Sequence, residues 1–180
     1  GCDTLKYIYD IVKETRLGKY LVCGFDIPQC AQDYINDLIV NFNGRPNVLR
    51  ISDLEQKRGL NFNEMYLFLL NNPQDFVRNS APFEFDLVNI DAIHSKKWVE
   101  KDFLSIENKV KKGGLVTFHD YCLASQGTDP QIGGGFIDVR EAVKELGLAD
   151  NSRPGWEFVT EILGSRTTGT GTKDGNGMAI

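Results

Sequence analysis

The chain is expected to fold as an α/β protein, with a doubly wound, mostly parallel sheet and helices on both faces. Three observations predict this. Segments with apolar residues at helical spacing alternate with short apolar runs. Those runs are near-continuous in their hydrophobicity, as buried parallel strands are. Finally, four of the strands end in an acid or an acid-containing pair: Asp26, Asp53, Asp91 and His119-Asp120. Ligands of such sheets sit outside the carboxyl ends of the strands, so these side chains are candidates for function.

The elements follow in order. Asp3 to Arg16 reads as a helix, because Leu5, Ile8, Tyr9 and Val12 recur at helical spacing and Asp3 or Thr4 can cap its start. Gly18 stands where a helix stop belongs. Tyr20 to Phe25 is an apolar run closed by Asp26, a buried strand with an acid at its carboxyl end. Pro28 opens a helix to about Asn41. Asn43 to Pro46 is a turn, and Asn47 to Ile51 is a strand followed by Ser52 and Asp53. Phe62 to Leu70 reads as an apolar helix ended by Asn71-Asn72-Pro73. Asp86 to Ile90 is a strand ending in Asp91. Lys96 to Lys111 is a helix with Val99, Phe103, Ile106 and Val110 inward, stopped by Gly113-Gly114. Leu115 to Phe118 is a strand ending in His119-Asp120. Phe136 to Leu146 is a further helix, and Trp156 to Leu163 and Gly177 to Ile180 read as two last strands joined by a loose hairpin.

The totals fit one soluble domain. The 180 residues hold 41% hydrophobic and 25% charged side chains, enough to bury a core without staples. A net charge of −5 with scattered Lys and Arg argues against a nucleic-acid partner. No apolar run is long enough to span a bilayer and no signal peptide is visible, so no membrane partner is expected. None of the four cysteines, Cys2, Cys23, Cys30 and Cys122, has C-x-x-C spacing. They read as reduced thiols of a cytoplasmic protein. Neither a repeat nor a dividing linker is visible, so residues 1–180 read as a single domain.

Chemistry gathers at the carboxyl edge. Asp26 is placed to accept hydrogen bonds from ribose hydroxyls of a nucleotide, the alternative being a helix cap. Ser52 and Asp53, one strand over, could meet an adenine edge or serve as a cap. Asp91 ends one strand, His94 follows three residues later, and His119-Asp120 ends the next strand. Adjacent strands lie only ~5 Å apart, so these side chains can converge. Both histidines of the chain fall here. Carboxylates suit Mg2+ or another hard dication, imidazole suits Mn2+, Zn2+ or Fe2+, and a histidine also suits general-base work. The plainer alternative has Asp120 capping a turn and His119 packing on the sheet. A dinucleotide oxidoreductase would need G-x-G-x-x-G between strand and helix, which is absent. Gly133-Gly134-Gly135 comes after the fifth strand and reads as a mobile loop near an acceptor. Tyr121 is a candidate pocket wall, and Trp98 reads as core.

The segments Asp86 to Ser95 and Gly113 to Tyr121, with Asp91-x-x-His94-Ser95 and His119-Asp120-Tyr121, resemble class I S-adenosylmethionine-dependent methyltransferases. The likeness is nearest to the small-molecule and sugar O-methyltransferase branch. It covers nearly the whole chain and is specific over residues 83–121. It implies a Rossmann-like sheet whose last strand is antiparallel. The family's first strand and glycine-rich turn are not complete here. Gly1-Cys2-Asp3-Thr4 resembles the tail of that turn, which implies residues upstream of Gly1.

By this resemblance, Gly1 belongs to the cofactor turn, Asp26 holds the ribose, Ser52 and Asp53 approach the adenine, and Asp91 borders the cofactor. His94 is implied as the base with Asp91 beside it. Asp91, His119 and Asp120 are implied as ligands of Mg2+ or another divalent cation, or as groups that orient the acceptor. The family more often has an acid where His119 stands when a metal is used. The implied reaction is methyl transfer to a hydroxyl of a small molecule or carbohydrate. The alternative is a binding or scaffold protein that keeps the fold without the chemistry. Homo-oligomerisation stays open.

Overall fold

A computed structural model describes residues 2–15, 18–26, 47–50, 64–81, 84–121, 128–129, 135–136, 138–158, 161–162 and 178–179. Two compact units make up the chain, Gly1–Phe76 and Val77–Ile180. No helix among the described residues is long and apolar enough to cross a membrane.

The first unit holds helix α1 (Cys2–Glu14) and three parallel strands, β1 (Leu21–Asp26), β2 (Asn47–Arg50) and β3 (Glu64–Leu69). The strand order is β1-β3-β2, with Asp26 opposite Leu69 and Arg50 opposite Leu69, so the carboxyl ends lie level. Ile8, Tyr9 and Tyr20 pack on buried Val22. Phe25, Phe68 and Phe76 form a stack, with ring centroids 5.1 Å apart for Phe25 and Phe68.

Within the expected helix over 62–70, residues 64–69 are instead β3, the central strand of this sheet. A short apolar run has no periodicity that separates strand from buried helix, and ladders on both sides decide it here. Tyr66, Phe68 and Leu70, at strand alternation, are all buried. Pro73 therefore opens a helix, α2 (Pro73–Asn79), and does not close one. Asn72 caps it: the Asp75 amide donates to Asn72 Oδ1 at 3.3 Å. The expected helix from Pro28 to Asn41 lies outside the described residues.

The second unit carries β4 (Phe85–Ile90), α3 (Lys96–Ile106), a 3-10 turn (Glu107–Lys109), β5 (Val110–Phe118), β6 (Thr128–Asp129), β7 (Gly135–Phe136), α4 (Val139–Glu145), β8 (Glu161–Ile162) and β9 (Met178–Ala179). Its main sheet runs β4-β5-β9-β8. β4 and β5 are parallel, and β9 is antiparallel to both β5 and β8.

Helix α3 ends at Ile106, earlier than expected, and Val110 starts a strand. Gly113-Gly114 does not stop a helix but sits inside β5. Phe85 pairs with Val110 and Leu87 with Leu115, so extra residues of β5 bulge between those pairs. Gly113 takes φ 82° there, and a Cβ on Gly114 would stand 2.8 Å from Val110 Cγ1. Helix α4 likewise starts at Val139, after Phe136 has paired in β7. Trp156 to Phe158 lie outside any strand, and β8 is only Glu161–Ile162.

The core of this unit centres on Phe103, which is fully buried. Its ring meets Phe118 at 6.0 Å and Trp156 edge-on at 5.1 Å. Val99, Val116, Val139, Ala142 and Val143 are buried with it. Arg153 lays its guanidinium 5.2 Å from the Phe103 ring centre and grips Glu107 with two hydrogen bonds. Helix α4 closes with Gly147 at φ 71°: the Leu148 amide donates to the Val143 carbonyl and the Gly147 amide to the Lys144 carbonyl.

Candidate active site

Two parallel strands deliver the chemistry. The ladder between β4 and β5 continues one step past the strands, where the His119 amide donates to the Ile90 carbonyl at 3.0 Å. This sets Asp91 and His119 side by side at the carboxyl edge. Asp120 then takes φ 56°, a left-handed backbone that Asp tolerates better than most residues, and it is only 8% exposed.

His94 lies in the short loop between β4 and α3. Its position is fixed from both sides. The Ser95 carbonyl accepts the amides of Trp98 and Val99 at the start of α3, and the His94 carbonyl accepts the Asp138 amide at 2.9 Å just before α4. Lys96 and Glu145 pair between the same two helices.

The four side chains converge. His94 Nε2 is 3.5 Å from Asp91 Oδ1 and 3.7 Å from Asp120 Oδ2. His119 Nδ1 is 3.1 Å from Asp91 Oδ1 and 3.2 Å from Asp120 Oδ1. The imidazoles sit 6.0 Å apart, ring centre to ring centre. His119 Nδ1 and Asp120 Oδ1 are buried, yet neither makes a well-aligned hydrogen bond despite these close approaches.

The electrostatics follow from the packing. The Asp120 and Asp91 carboxylates beside His119 outweigh its burial and push its pKa up to about 10. Burial pushes the Asp91 carboxyl up, but His119 and His94 overcome this and hold it well below the usual carboxylate range. One oxygen of Asp91 and one nitrogen from each histidine lie within 4.8 Å of one another, a grouping able to hold a metal ion.

Of the residues expected from sequence, Asp91, His94, His119 and Asp120 therefore meet in one cluster. Asp26 ends β1 in the first unit, where its carbonyl accepts the Leu70 amide at 2.9 Å. Gly1, Ser52, Asp53 and most of the 133–135 glycine run lie outside the described residues. Tyr121, a candidate pocket wall, is 2% exposed, packs 6.1 Å from the Phe158 ring and carries the Arg140 guanidinium 5.2 Å above it. Trp98 is half-buried, with Lys101 lying 4.6 Å from its ring centre. The metal-capable grouping brings in His94, which the sequence reading kept as a base. Asp138 was not foreseen at all, because its contribution is a backbone amide that no side-chain motif marks.

Residues 10–121 match a family described as a methyltransferase domain. That span is more than half of the chain and contains Asp26, Asp91, His94, His119 and Asp120. The chain belongs to this methyltransferase-domain family. No curated protein matches the chain significantly.

Proposed function

We propose that the chain moves a methyl group from S-adenosylmethionine to a hydroxyl of a small-molecule or carbohydrate acceptor, with His94 taking the hydroxyl proton. The observation that carries this reading is the placement of His94 Nε2 between Asp91 and Asp120, 3.5 and 3.7 Å from their oxygens, at the carboxyl edge of a methyltransferase-family sheet.

The bound cofactor would supply a methyl on a sulfonium, which is a good leaving group. The protein's own tasks are then alignment of the acceptor oxygen and removal of its proton. Asp91 and Asp120 flank His94 and would stabilise the imidazolium formed when Nε2 accepts that proton. The loop's two backbone anchors keep the ring in place. In the first unit, Asp26 at the end of β1 would accept hydrogen bonds from the ribose hydroxyls. Ser52 and Asp53 would approach the adenine, and Gly1 would belong to the turn around the methionine portion.

The test is His94→Ala, with methyl transfer and S-adenosylhomocysteine affinity measured in parallel. Transfer should fall by roughly 100-fold or more, the usual share of a positioned base, while cofactor affinity holds. Undiminished turnover would remove His94 from the reaction.

A further inference from the structure

We propose that the ion pair between Lys96 and Glu145 is a positioning device for His94, bracing helix α4 against the loop that carries the histidine. The proposal rests on the role given to His94 above. Its first support is that both residues stand against their own helices. Lys96 is the first residue of α3, where the helix dipole favours an acid, and that turn holds none. Glu145 is the last residue of α4, where the dipole favours a cation. Local helix preference explains neither charge, yet each finds the other across the two helices. Glu141, one turn earlier on α4, pairs instead with Lys144 at 2.9 Å.

The second support is the tie at the other end of α4. The Asp138 amide, just before the helix, donates to the His94 carbonyl at 2.9 Å. Residues 138 and 145 are seven steps apart, which at ~1.5 Å per residue puts the two ties roughly 10 Å apart. One tie alone would let α4 pivot about it. Two ties, with Val139, Ala142 and Val143 buried between them, fix the tilt of α4 against residues 94 to 96. The backbone of His94 and the side chain two residues on are then held by one short helix. A base must sit within hydrogen-bond reach of the proton it takes, so a small displacement of this loop costs turnover.

The helix dipoles let substitution separate this role from plain stabilisation. Lys96→Met and Glu145→Gln each break the pair but also remove a charge that its own helix end disfavours, so the unfolding midpoint should hold. kcat should fall roughly 3- to 5-fold, in keeping with an exposed pair, with KM for S-adenosylmethionine unchanged. Swapping the charges, Lys96→Glu together with Glu145→Lys, restores the pair and should return kcat to the parent value.

Amide NMR of the whole chain supplies a reading independent of turnover. The Asp138 amide proton should move upfield in both single variants, as its hydrogen bond to His94 lengthens, and return in the charge-swapped chain. A charge-swapped chain as slow as the single variants, or an Asp138 resonance indifferent to them, would overturn the brace. If the parent chain transfers no methyl, the function proposed above fails, and the Asp138 resonance alone then decides the brace.

Discussion

Asp120 holds its carboxylate 3.7 Å from His94 Nε2 and 3.2 Å from His119 Nδ1, from a backbone at φ 56°. Asparagine adopts that backbone as easily, so Asp120→Asn should keep the fold while removing the charge. His119 responds directly. Its folded pKa is raised to about 10 by Asp120 first and Asp91 second. A raised pKa stabilises the fold below the unfolded value near 6.5 and loses that contribution as pH climbs through about 10. NMR titration of the metal-free chain should find His119 protonated at pH 8, and Asp120→Asn should bring its midpoint down. A midpoint unchanged by Asp120→Asn would mean that Asp120 does not govern the histidine. Glu107 has the opposite sign. Arg153 holds its carboxyl below the ordinary value, so the pair stabilises the unit above the unfolded carboxylate pKa and fades as pH falls through the folded one. Glu107→Gln should cost about 2 kcal/mol near neutrality and flatten the acid limb of a stability profile.

At the scale of elements, the sequence showed what periodicity encodes. Helix α1, strands β1, β2 and β4 and the start of α3 fall within a residue or two of where apolar spacing places them. The run at 64–69 did not, because its six residues are too few to display a helical or strand period, and pairing on both sides made it a strand. Gly113-Gly114 misled for a related reason. A glycine pair marks an unusual backbone, but whether that is a helix end or a bulge depends on the neighbouring strand. Gly147, by contrast, does end its helix, as a left-handed glycine past the last turn does. A Cβ there would meet Ser152 Oγ at 2.6 Å with φ at 71°. Gly147→Ala should therefore lower stability by about 1 to 2 kcal/mol, read from urea midpoints. An unchanged midpoint would show that the α4 terminus relaxes without penalty.

Across the molecule, the meeting of the candidate residues was more legible than the packing around them. The rule that parallel strands present their carboxyl ends together is enough to gather Asp91, His94, His119 and Asp120 from the sequence. Which nitrogen faces which oxygen depends on the left-handed turn at Asp120 and on the loop at His94, and neither is written in residue spacing. The core is likewise a product of pairing. Phe103 looks like one apolar residue among many, yet Phe118, Trp156 and Arg153 all converge on it. Phe103→Ala should cost ~3 to 5 kcal/mol in the second unit, with near-UV circular dichroism of Trp156 lost at a lower denaturant concentration. Retention of the parent midpoint would displace Phe103 from the centre of the core.

The bond from the Asp138 amide to the His94 carbonyl has a use beyond holding a loop. An amide proton is a clock. Its hydrogen–deuterium exchange rate records how often the bond opens. Because this one belongs to a residue remote in sequence but tied to the histidine's own backbone, it reports on the loop without any substitution in the cluster. Ligands that steady His94 should slow exchange at Asp138, so a single peptide could rank candidate ions and acceptors before any reaction is assayed.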